Sequence, residues 1–307
     1  MSTHRLILPL TGLLVSLAAC NDAGSSGLGG EHSTRILLTD APFPFDRVRR
    51  VDVYVVSVSG SLTADTSASG TFMTLATPDR TIDLLGLQHG VTDELGALDL
   101  PEGIITAVRL MIDTDRSSIT LKDGTVLTGS STPGIAWQSS AGRPVLNALI
   151  HEQIDVPDSG GTVVIDFDVG KAFLTPQELD PASTDEGFIF SPVLRAADGT
   201  KTGGIVGVVR SGGQAVADAS LQLYLGDPAG PENTWSVLAT AHTDAAGAFA
   251  FSYVTRSDYW TQVPAQRDSR YIVAVDPPAG LAAGRAILPN VVVTAGSDTD
   301  LGTVALP

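Results

Sequence analysis

The sequence has a single cysteine, Cys20, among 307 residues. A lone cysteine excludes an intrachain disulfide and a cysteine-rich metal site. Basic residues are also scarce, because 18 Lys and Arg stand against 34 Asp and Glu, giving a net charge of −16. Nucleic-acid binding needs a face rich in Lys and Arg, so this balance argues against a nucleic-acid partner. Aromatic residues make up only 6 %, yet the hydrophobic content of 43 % is enough for proper cores.

The sequence also lacks the familiar catalytic signatures. It contains no G-x-S-x-G elbow, no phosphate-binding loop and no dinucleotide fingerprint between a strand and a helix. The pair His151-Glu152 has no second histidine four residues on, so it does not form a zinc motif. We therefore predict no catalytic residue, no cofactor and no enzymatic activity.

The first twenty residues contain a short apolar segment that ends at the only cysteine. Residues 6–19 follow Arg5 and are mostly apolar, but they are too short for a membrane span, which needs about 20 apolar residues. They end in Leu17-Ala18-Ala19-Cys20, an aliphatic residue and two small residues before cysteine. This pattern resembles the bacterial lipobox, which implies that residues 1–19 are a signal peptide. The resemblance also implies that Cys20 carries fatty acyl chains such as palmitate. The alternative is an ordinary secretory signal that ends near a free cysteine.

Residues 20–33 are rich in Gly and Ser and show no hydrophobic periodicity. Coil of this composition spans about 20 Å over thirteen residues. We therefore expect a flexible tether that holds the remainder of the chain off a membrane. The predicted location is the bacterial cell envelope, outside the cytoplasm, with the membrane as a partner through the N-terminal lipid.

Alternating apolar residues indicate strands throughout the remainder. In the segment 162–169, every second side chain shares one face, and Val164, Asp166 and Asp168 share the other. The segment 104–112 alternates as well, which predicts a common face for Ile104, Thr106, Val108, Leu110 and Ile112. Asp123-Gly124 lies between two short apolar runs, a strong hairpin signal. After the signal, no window of twelve or more residues has a helical stripe.

These patterns predict an all-β chain of two tandem antiparallel β-sandwiches. Turn-forming residues 197–204 mark a boundary, so we predict a first β module at 34–198 and a second at 203–307. The charge differs between the two, at −12 for residues 34–198 and −3 for residues 201–307. Two separate cores fit this difference better than a single large domain.

The first module resembles a family of bacterial lipoprotein domains, domain of unknown function 4382. The resemblance covers Arg35–Arg195 and depends on the order and spacing of short matching pieces along the sequence. The matching pieces are Leu38–Pro42, Ile82–Leu85, Leu100–Gly103, Val164–Asp168 and Pro192–Arg195. It implies an extracytoplasmic β-rich module without an assigned activity or catalytic residue.

The second module resembles carboxypeptidase regulatory-like domains, which have a transthyretin-like β-sandwich. The clearest piece is Thr243–Phe251, in which Asp244 suits the first position of a turn and Gly247 suits a positive φ. Phe249 and Phe251 would then fill the core. The resemblance implies an appended structural module, with a longer insert at Arg256–Ser269 than the family usually has.

Two candidates for binding sites remain. Asp166 and Asp168 share a strand face, and such a pair needs a cation, a basic partner or open water. We favour a basic partner or solvent over calcium and name Arg109 or Lys171 as the partner. The second candidate is Tyr259 with Trp260 on the insert, a composition typical of sugar-stacking platforms. Here we favour the alternative that Trp260 fills one end of the sandwich.

A second acidic segment, which begins with Asp113 and Asp115, fails as an EF-hand. Ser118 stands where that loop needs Gly, and Gly124 stands where it needs Glu.

The leading hypothesis for the whole chain is a non-catalytic, lipid-anchored envelope protein of structural or adhesive type that meets an envelope protein or a glycan. The second hypothesis is a module that binds glycan or calcium, and the third is an enzyme of an undescribed kind.

Overall fold

The fold is built almost entirely from β-strands, in a computed structural model that describes residues 33–40, 47–61, 71–137 and 142–307. The predicted all-β class is confirmed, since the helices are single short turns. The N-terminal part contains α1 (Val169–Ala172), α2 (Pro176–Leu179), the 3-10 turns Leu84–Leu87 and Gly199–Lys201, and the strands β1 (Thr34–Asp40), β2 (Val48–Ser61), β3 (Met73–Ala76), β4 (Arg80–Asp83), β5 (Asp93–Leu98), β6 (Gly103–Ile105), β7 (Ala107–Leu121), β8 (Val126–Leu127), β9 (Gly134–Trp137), β10 (Val145–Ile150), β11 (Ile154–Val156), β12 (Thr162–Phe167), β13 (Phe173–Leu174), β14 (Gly187–Phe190) and β15 (Leu194–Asp198).

A large sheet dominates the N-terminal part, with strand order β3-β2-β7-β10-β15-β12-β1-β5. Strand β4 adds to β2 and β8 adds to β7, and two smaller sheets pair β11 with β6 and β13-β14-β9. The antiparallel pattern that the sequence predicts is incomplete, because β1 runs parallel to β12 and β10 runs parallel to β15. Parallel pairs need long crossovers, so hairpin signals in the sequence do not report them.

The strand predicted from residues 104–112 is broken at Thr106. Strand β6 ends at Ile105, and β7 begins at Ala107. The break shifts the alternation, since Ile105 is buried while Ile104 is 41 % exposed. The prediction that Ile104 shares the buried face of Val108 is therefore wrong. Farther along β7 the Asp123-Gly124 hairpin is confirmed, because β8 folds back onto Ile119 and Thr120.

The C-terminal part consists of two four-stranded sheets, β17-β16-β20 with β23 paired to β16, and β19-β18-β21-β22. The elements are α3 (Ser257–Gln262), the 3-10 turns Glu232–Thr234 and Pro264–Gln266, and the strands β16 (Thr202–Ser211), β17 (Gln214–Ala215), β18 (Ser220–Gly226), β19 (Ser236–His242), β20 (Ala248–Thr255), β21 (Arg270–Asp276), β22 (Ala286–Val291) and β23 (Asp298–Ala305).

The turn before β20 forms as the sequence predicts. The Asp244 carboxylate accepts the backbone N–H groups of Ala246 and Ala248, both at 2.8 Å. Gly247 has φ of +79°, and a Cβ there would lie 2.5 Å from the Val209 carbonyl oxygen. Phe249 and Phe251 are both buried in the core, as predicted.

Buried apolar side chains form one main cluster in each part of the described chain, and a small third cluster of Tyr224, Ile272 and Ala274 lies in the C-terminal part. The N-terminal cluster runs from Ile36 to Ala196, and the C-terminal cluster runs from Ile205 to Leu306. Between them, β15 leads through a single 3-10 turn at Gly199–Lys201 directly into β16. The two cores are thus joined by a short connection with local structure, which brings the surfaces of the two parts together.

Candidate functional site

Strand β12 is buried on both faces. Val163, Ile165 and Phe167 face the N-terminal core, as the alternation predicts. The opposite face, with Val164 and Asp166, is buried as well. A cavity against this face is lined from both parts of the chain, for example by Val164 and Leu238. The C-terminal part therefore covers the outer face of β12 and β15, and we call this contact the junction.

An ion pair between neighbouring strands lies at the centre of the junction. Arg195 on β15 stands opposite Asp166 on β12, and its guanidinium forms a salt bridge with that carboxylate. The same guanidinium donates to the Leu238 carbonyl oxygen of β19 at 2.7 Å. Arg195 thus links both parts. Burial opposes its charge, but the carboxylates of Asp166 and Asp168 outweigh this effect and raise the pKa of Arg195.

A second ion cluster lies where β15 passes into β16. Lys201 Nζ is 2.8 Å from Asp155 Oδ2, and it donates to the Gln153 carbonyl oxygen at 2.8 Å. Arg256 of the C-terminal part lies 2.7 Å from Glu152 Oε1 of the N-terminal part. Glu152 keeps 11 % of its side chain exposed, so this bridge is largely shielded from water. Shielded pairs are screened by salt far less than exposed ones.

Aromatic side chains cover the remaining edge of the junction. The Tyr259 hydroxyl donates to the His151 carbonyl oxygen at 2.6 Å. The His151 and Trp260 rings contact in a T-shaped arrangement, with ring centroids 5.3 Å apart. Trp260 Nε1 donates to the Tyr271 hydroxyl, which in turn donates to the Thr255 carbonyl oxygen, both at 2.6 Å. Burial raises the pKa of the Tyr271 hydroxyl, so it remains a donor at ordinary pH.

These contacts correct the sugar-platform hypothesis for Tyr259 and Trp260. The insert at Arg256–Ser269 carries α3 rather than an open loop. Trp260 is only 6 % exposed and belongs to the C-terminal core, which leaves no indole face for stacking. Tyr259 is half-buried, and its hydroxyl donates a hydrogen bond to the His151 carbonyl oxygen. The favoured alternative, in which Trp260 fills the end of the sandwich, fits its burial.

His151 gives the junction a predicted pH dependence. Burial, followed by the charge of Arg195, lowers the pKa of the His151 imidazole below its ordinary value near 6.5. The unfolded chain therefore binds more protons than the folded chain as pH falls through 6.5, and the free energy of unfolding decreases. We expect His151→Gln to weaken this decrease when urea unfolding is measured at pH 7.5 and pH 5.

Part of the slope should survive in that variant, because burial also lowers the pKa of His242. Equal losses of stability in the parent and in His151→Gln between the two pH values would contradict the assignment.

Asp166 and Asp168 are placed together but do not form an open acidic pair. Asp168 follows β12 and accepts the backbone N–H of Lys171 at 3.1 Å. Its other oxygen lies 3.4 Å from the Lys171 ammonium, so the predicted Lys171 partner is correct for Asp168. For Asp166 the partner is Arg195 and not Arg109, which donates to Asn147 instead. Burial raises the pKa of the Asp168 carboxyl, although the Lys171 ammonium partly offsets this effect.

Cation binding has no support among the described residues. No group of three or more His, Cys, Asp or Glu side chains is placed to hold a metal ion in the part of the chain that the structure describes. Asp113 and Asp115 lie inside the continuous strand β7 rather than in a loop, and Asp113 pairs with Arg143 at 3.0 Å. Asp113, Asp166 and Asp168 are thus each paired with a basic side chain.

The junction cavity is small. It has room for about 30 Å³ of water-sized volume, close to what one or two water molecules need. Small-molecule sites commonly enclose about 300–1,000 Å³. The cavity is therefore a packing feature between two surfaces rather than a substrate pocket.

Sequence reasoning did not find the junction. Arg195 belongs to a matched segment of the family, but nothing near it in the sequence indicates a partner 29 residues away. Glu152 and Arg256 are 104 residues apart, and no local pattern connects them. The one usable signal was the acidic face of β12, because a charged face on an otherwise apolar strand needs a partner.

The predicted lipidation site Cys20 and the tether up to residue 32 lie outside the described residues. Within the ranges that are described, no helix has both the length and the hydropathy to cross a bilayer.

Comparison with solved structures gives only distant similarity. The 9R-lipoxygenase from Cyanothece PCC8801 shares 14 % identity over 45 % of this chain and 19 % of its own, with a TM-score of 0.22. The TIE protein of Bacillus anthracis shares 9 % over 93 % of this chain and 41 % of its own, also at 0.22. GBS52, the minor pilin of Streptococcus agalactiae, shares 10 % identity over 89 % of this chain and 95 % of its own, again with a TM-score of 0.22. The chain spans less than half the length of the first two, and at these TM-scores no property is transferred to it.

A comparison with curated proteins gave no match. The sequence model of a family described as Domain of unknown function (DUF4382) matches residues 33–192, just over half of the chain. This match confirms the resemblance of the first module, whereas the type of the second module stays a prediction. The chain therefore belongs to the DUF4382 family.

Proposed function

We propose that this protein is a non-catalytic component of the bacterial cell envelope that holds two β modules outward from a membrane as one body. The observation that carries the proposal is the junction. Its charged groups are paired, Arg195 with Asp166 within the N-terminal part and Arg256 with Glu152 across the two parts, and its cavity has room for little more than water. Such an arrangement fixes geometry and offers no reactive group to a substrate.

The anchor in this proposal is Cys20. A lipobox at Leu17–Cys20 would place acyl chains on the thiol, and residues 21–33 would give the reach to clear the lipid headgroups. One acyl chain binds a bilayer only marginally, whereas two or three anchor stably. The net charge of −16 disfavours contact with anionic headgroups, which keeps the modules standing off the surface.

The second module is proposed to be a transthyretin-like sandwich. Its two four-stranded sheets, the Asp244–Gly247 turn and the buried Phe249 and Phe251 support this assignment. In this role it extends the surface that an envelope protein or a glycan would meet.

The anchor is tested by Cys20→Ser. We expect the membrane-bound fraction of the protein to fall to background, because the acyl chains supply nearly all the membrane affinity. Fractionation of the producing cells and intact-mass measurement of the purified chain check this result. The parent should show a mass increase from acylation and loss of residues 1–19, and Cys20→Ser should show no acylation. An unmodified, full-length parent in the cytosol would contradict the proposal.

A further inference from the structure

A second, larger hollow opens beside the junction. It encloses about 380 Å³, within the range of small-molecule sites. Both parts of the chain contribute to its walls: His89 and Gly90 from the N-terminal part, and Ser252, Tyr253 and Asp298 from the C-terminal part. We call this hollow the cleft.

A β-bulge places Ser252 and Tyr253 in the wall of the cleft. Along β16, Gly203 pairs with Val254 and Ile205 pairs with Phe251, so two residues of β20 stand opposite one residue of β16. Tyr253 has φ of +53°, which is uncommon for a large side chain and unfavourable without compensation. Bulges and strained residues of this kind cluster at functional sites, where they redirect side chains.

The facing wall is a turn with a second strained residue. His89 has φ of +59°, and Gly90 follows with φ of +80°. The buried Thr39 hydroxyl lies 3.2 Å from the Leu87 carbonyl oxygen and 2.9 Å from that of Val91, so it fixes both ends of the turn. A Cβ at Gly90 would lie 2.7 Å from the Ser252 hydroxyl oxygen, so the two walls approach closely here, and the positive φ of Gly90 disfavours any other residue.

The charges at the cleft narrow the class of ligand. Asp298 is the one carboxylate in the wall, and it lies so close over Gly204 that a Cβ there would collide with it. No Lys or Arg lines the cleft, so an anionic ligand would find no permanently cationic partner among these described residues. A single carboxylate also supplies too few ligands for a divalent cation. Calcium, for example, takes six or more oxygen ligands.

We propose that the cleft binds a neutral saccharide. The tyrosine ring offers an apolar face to the C–H groups of a pyranose, and its hydroxyl is a polar handle. The Asp298 carboxylate accepts hydrogen bonds from sugar hydroxyls, while the Ser252 hydroxyl both donates and accepts. This inference deepens the proposed function by assigning the glycan contact to the cleft, but outward display of the modules does not require a ligand there, so failure of the one leaves the other standing.

The test uses isothermal titration of the purified full chain with maltotetraose, cellotetraose and N,N′,N″,N‴-tetraacetylchitotetraose. CaCl₂ and inorganic phosphate form two further arms. We expect at least one oligosaccharide to bind, and Tyr253→Gly to weaken that binding by about tenfold through loss of the ring contact. Asp298→Asn should weaken it as well, whereas Asp268→Asn should not, because Asp268 is exposed and does not line the cleft.

Tyr253→Gly separates binding from folding. Tyr253 also lines the junction cavity, so the variant loses some packing, but glycine accepts the positive φ that tyrosine adopts only at a cost, and the variant should stay folded. Loss of binding with an unchanged melting temperature supports a ligand role for the ring. The proposal is overturned if none of the three oligosaccharides binds, if binding survives Tyr253→Gly, or if only calcium or phosphate gives a heat.

Discussion

Replacing Arg195 by alanine is expected to lower the free energy of unfolding by about 3 kcal/mol, the low end for breaking a buried ion pair. Arg195 and Asp166 keep only 19 % and 11 % of their side chains exposed. In the variant, the Asp166 carboxylate would have no cationic partner, and water would solvate it poorly. The variant also removes the donor to the Leu238 carbonyl oxygen, and with it a link between the two parts. Urea unfolding at pH 7 and fixed ionic strength measures the loss.

Two controls separate the pair from arginine in general. Arg49 is exposed, and Arg49→Ala should change stability by less than about 0.5 kcal/mol. The double variant Asp166→Asn with Arg195→Met should recover much of the loss, because it removes the unpaired charge. If Arg195→Ala matched Arg49→Ala, the central role of this ion pair would be refuted.

Replacing Trp260 by alanine is expected to cost about 3–5 kcal/mol, the range for removal of a large buried aromatic side chain. Trp260 is 6 % exposed and sits between the C-terminal core and the His151 ring. The change also removes the N–H donor to the Tyr271 hydroxyl. Thermal and urea unfolding of the full chain measure the effect.

The matched comparison is Tyr259→Phe, which removes only the bond to the His151 carbonyl oxygen. That variant should lose about 1 kcal/mol, the usual net value of one hydrogen bond. If Trp260→Ala and Tyr259→Phe lost equal stability, α3 would stabilise the fold through the Tyr259 hydrogen bond and not through burial of Trp260 in the core.

Local features of the fold were predictable from the sequence because their causes are local. The Asp123-Gly124 hairpin and the Asp244–Gly247 turn need only residues within a few positions of one another. The break at Thr106 was not predictable. It depends on Ser61, whose carbonyl oxygen accepts the Thr106 backbone N–H at 2.8 Å. Ser61 belongs to β2 and lies 45 residues earlier in the sequence.

The site was predictable only in part. The acidic face of β12 was visible as Asp166 and Asp168, and Lys171 lies near enough in sequence to be named as a partner. Arg195 reaches Asp166 only because β15 pairs with β12. The burial of Trp260 depends on a helix that forms within the insert, a segment too short for a helical period to stand out.

The most direct test of the account is a distance measurement between the two parts. Spin labels at Lys122→Cys and Asp268→Cys, both exposed, would report their separation in the Cys20→Ser background. If the junction holds the two parts in one arrangement, pulsed electron paramagnetic resonance should give one narrow distribution of the distance between the two labels. Adding Arg195→Ala and Arg256→Ala should broaden it. A broad distribution in the chain with an intact junction would contradict the claim that the two modules move as one body.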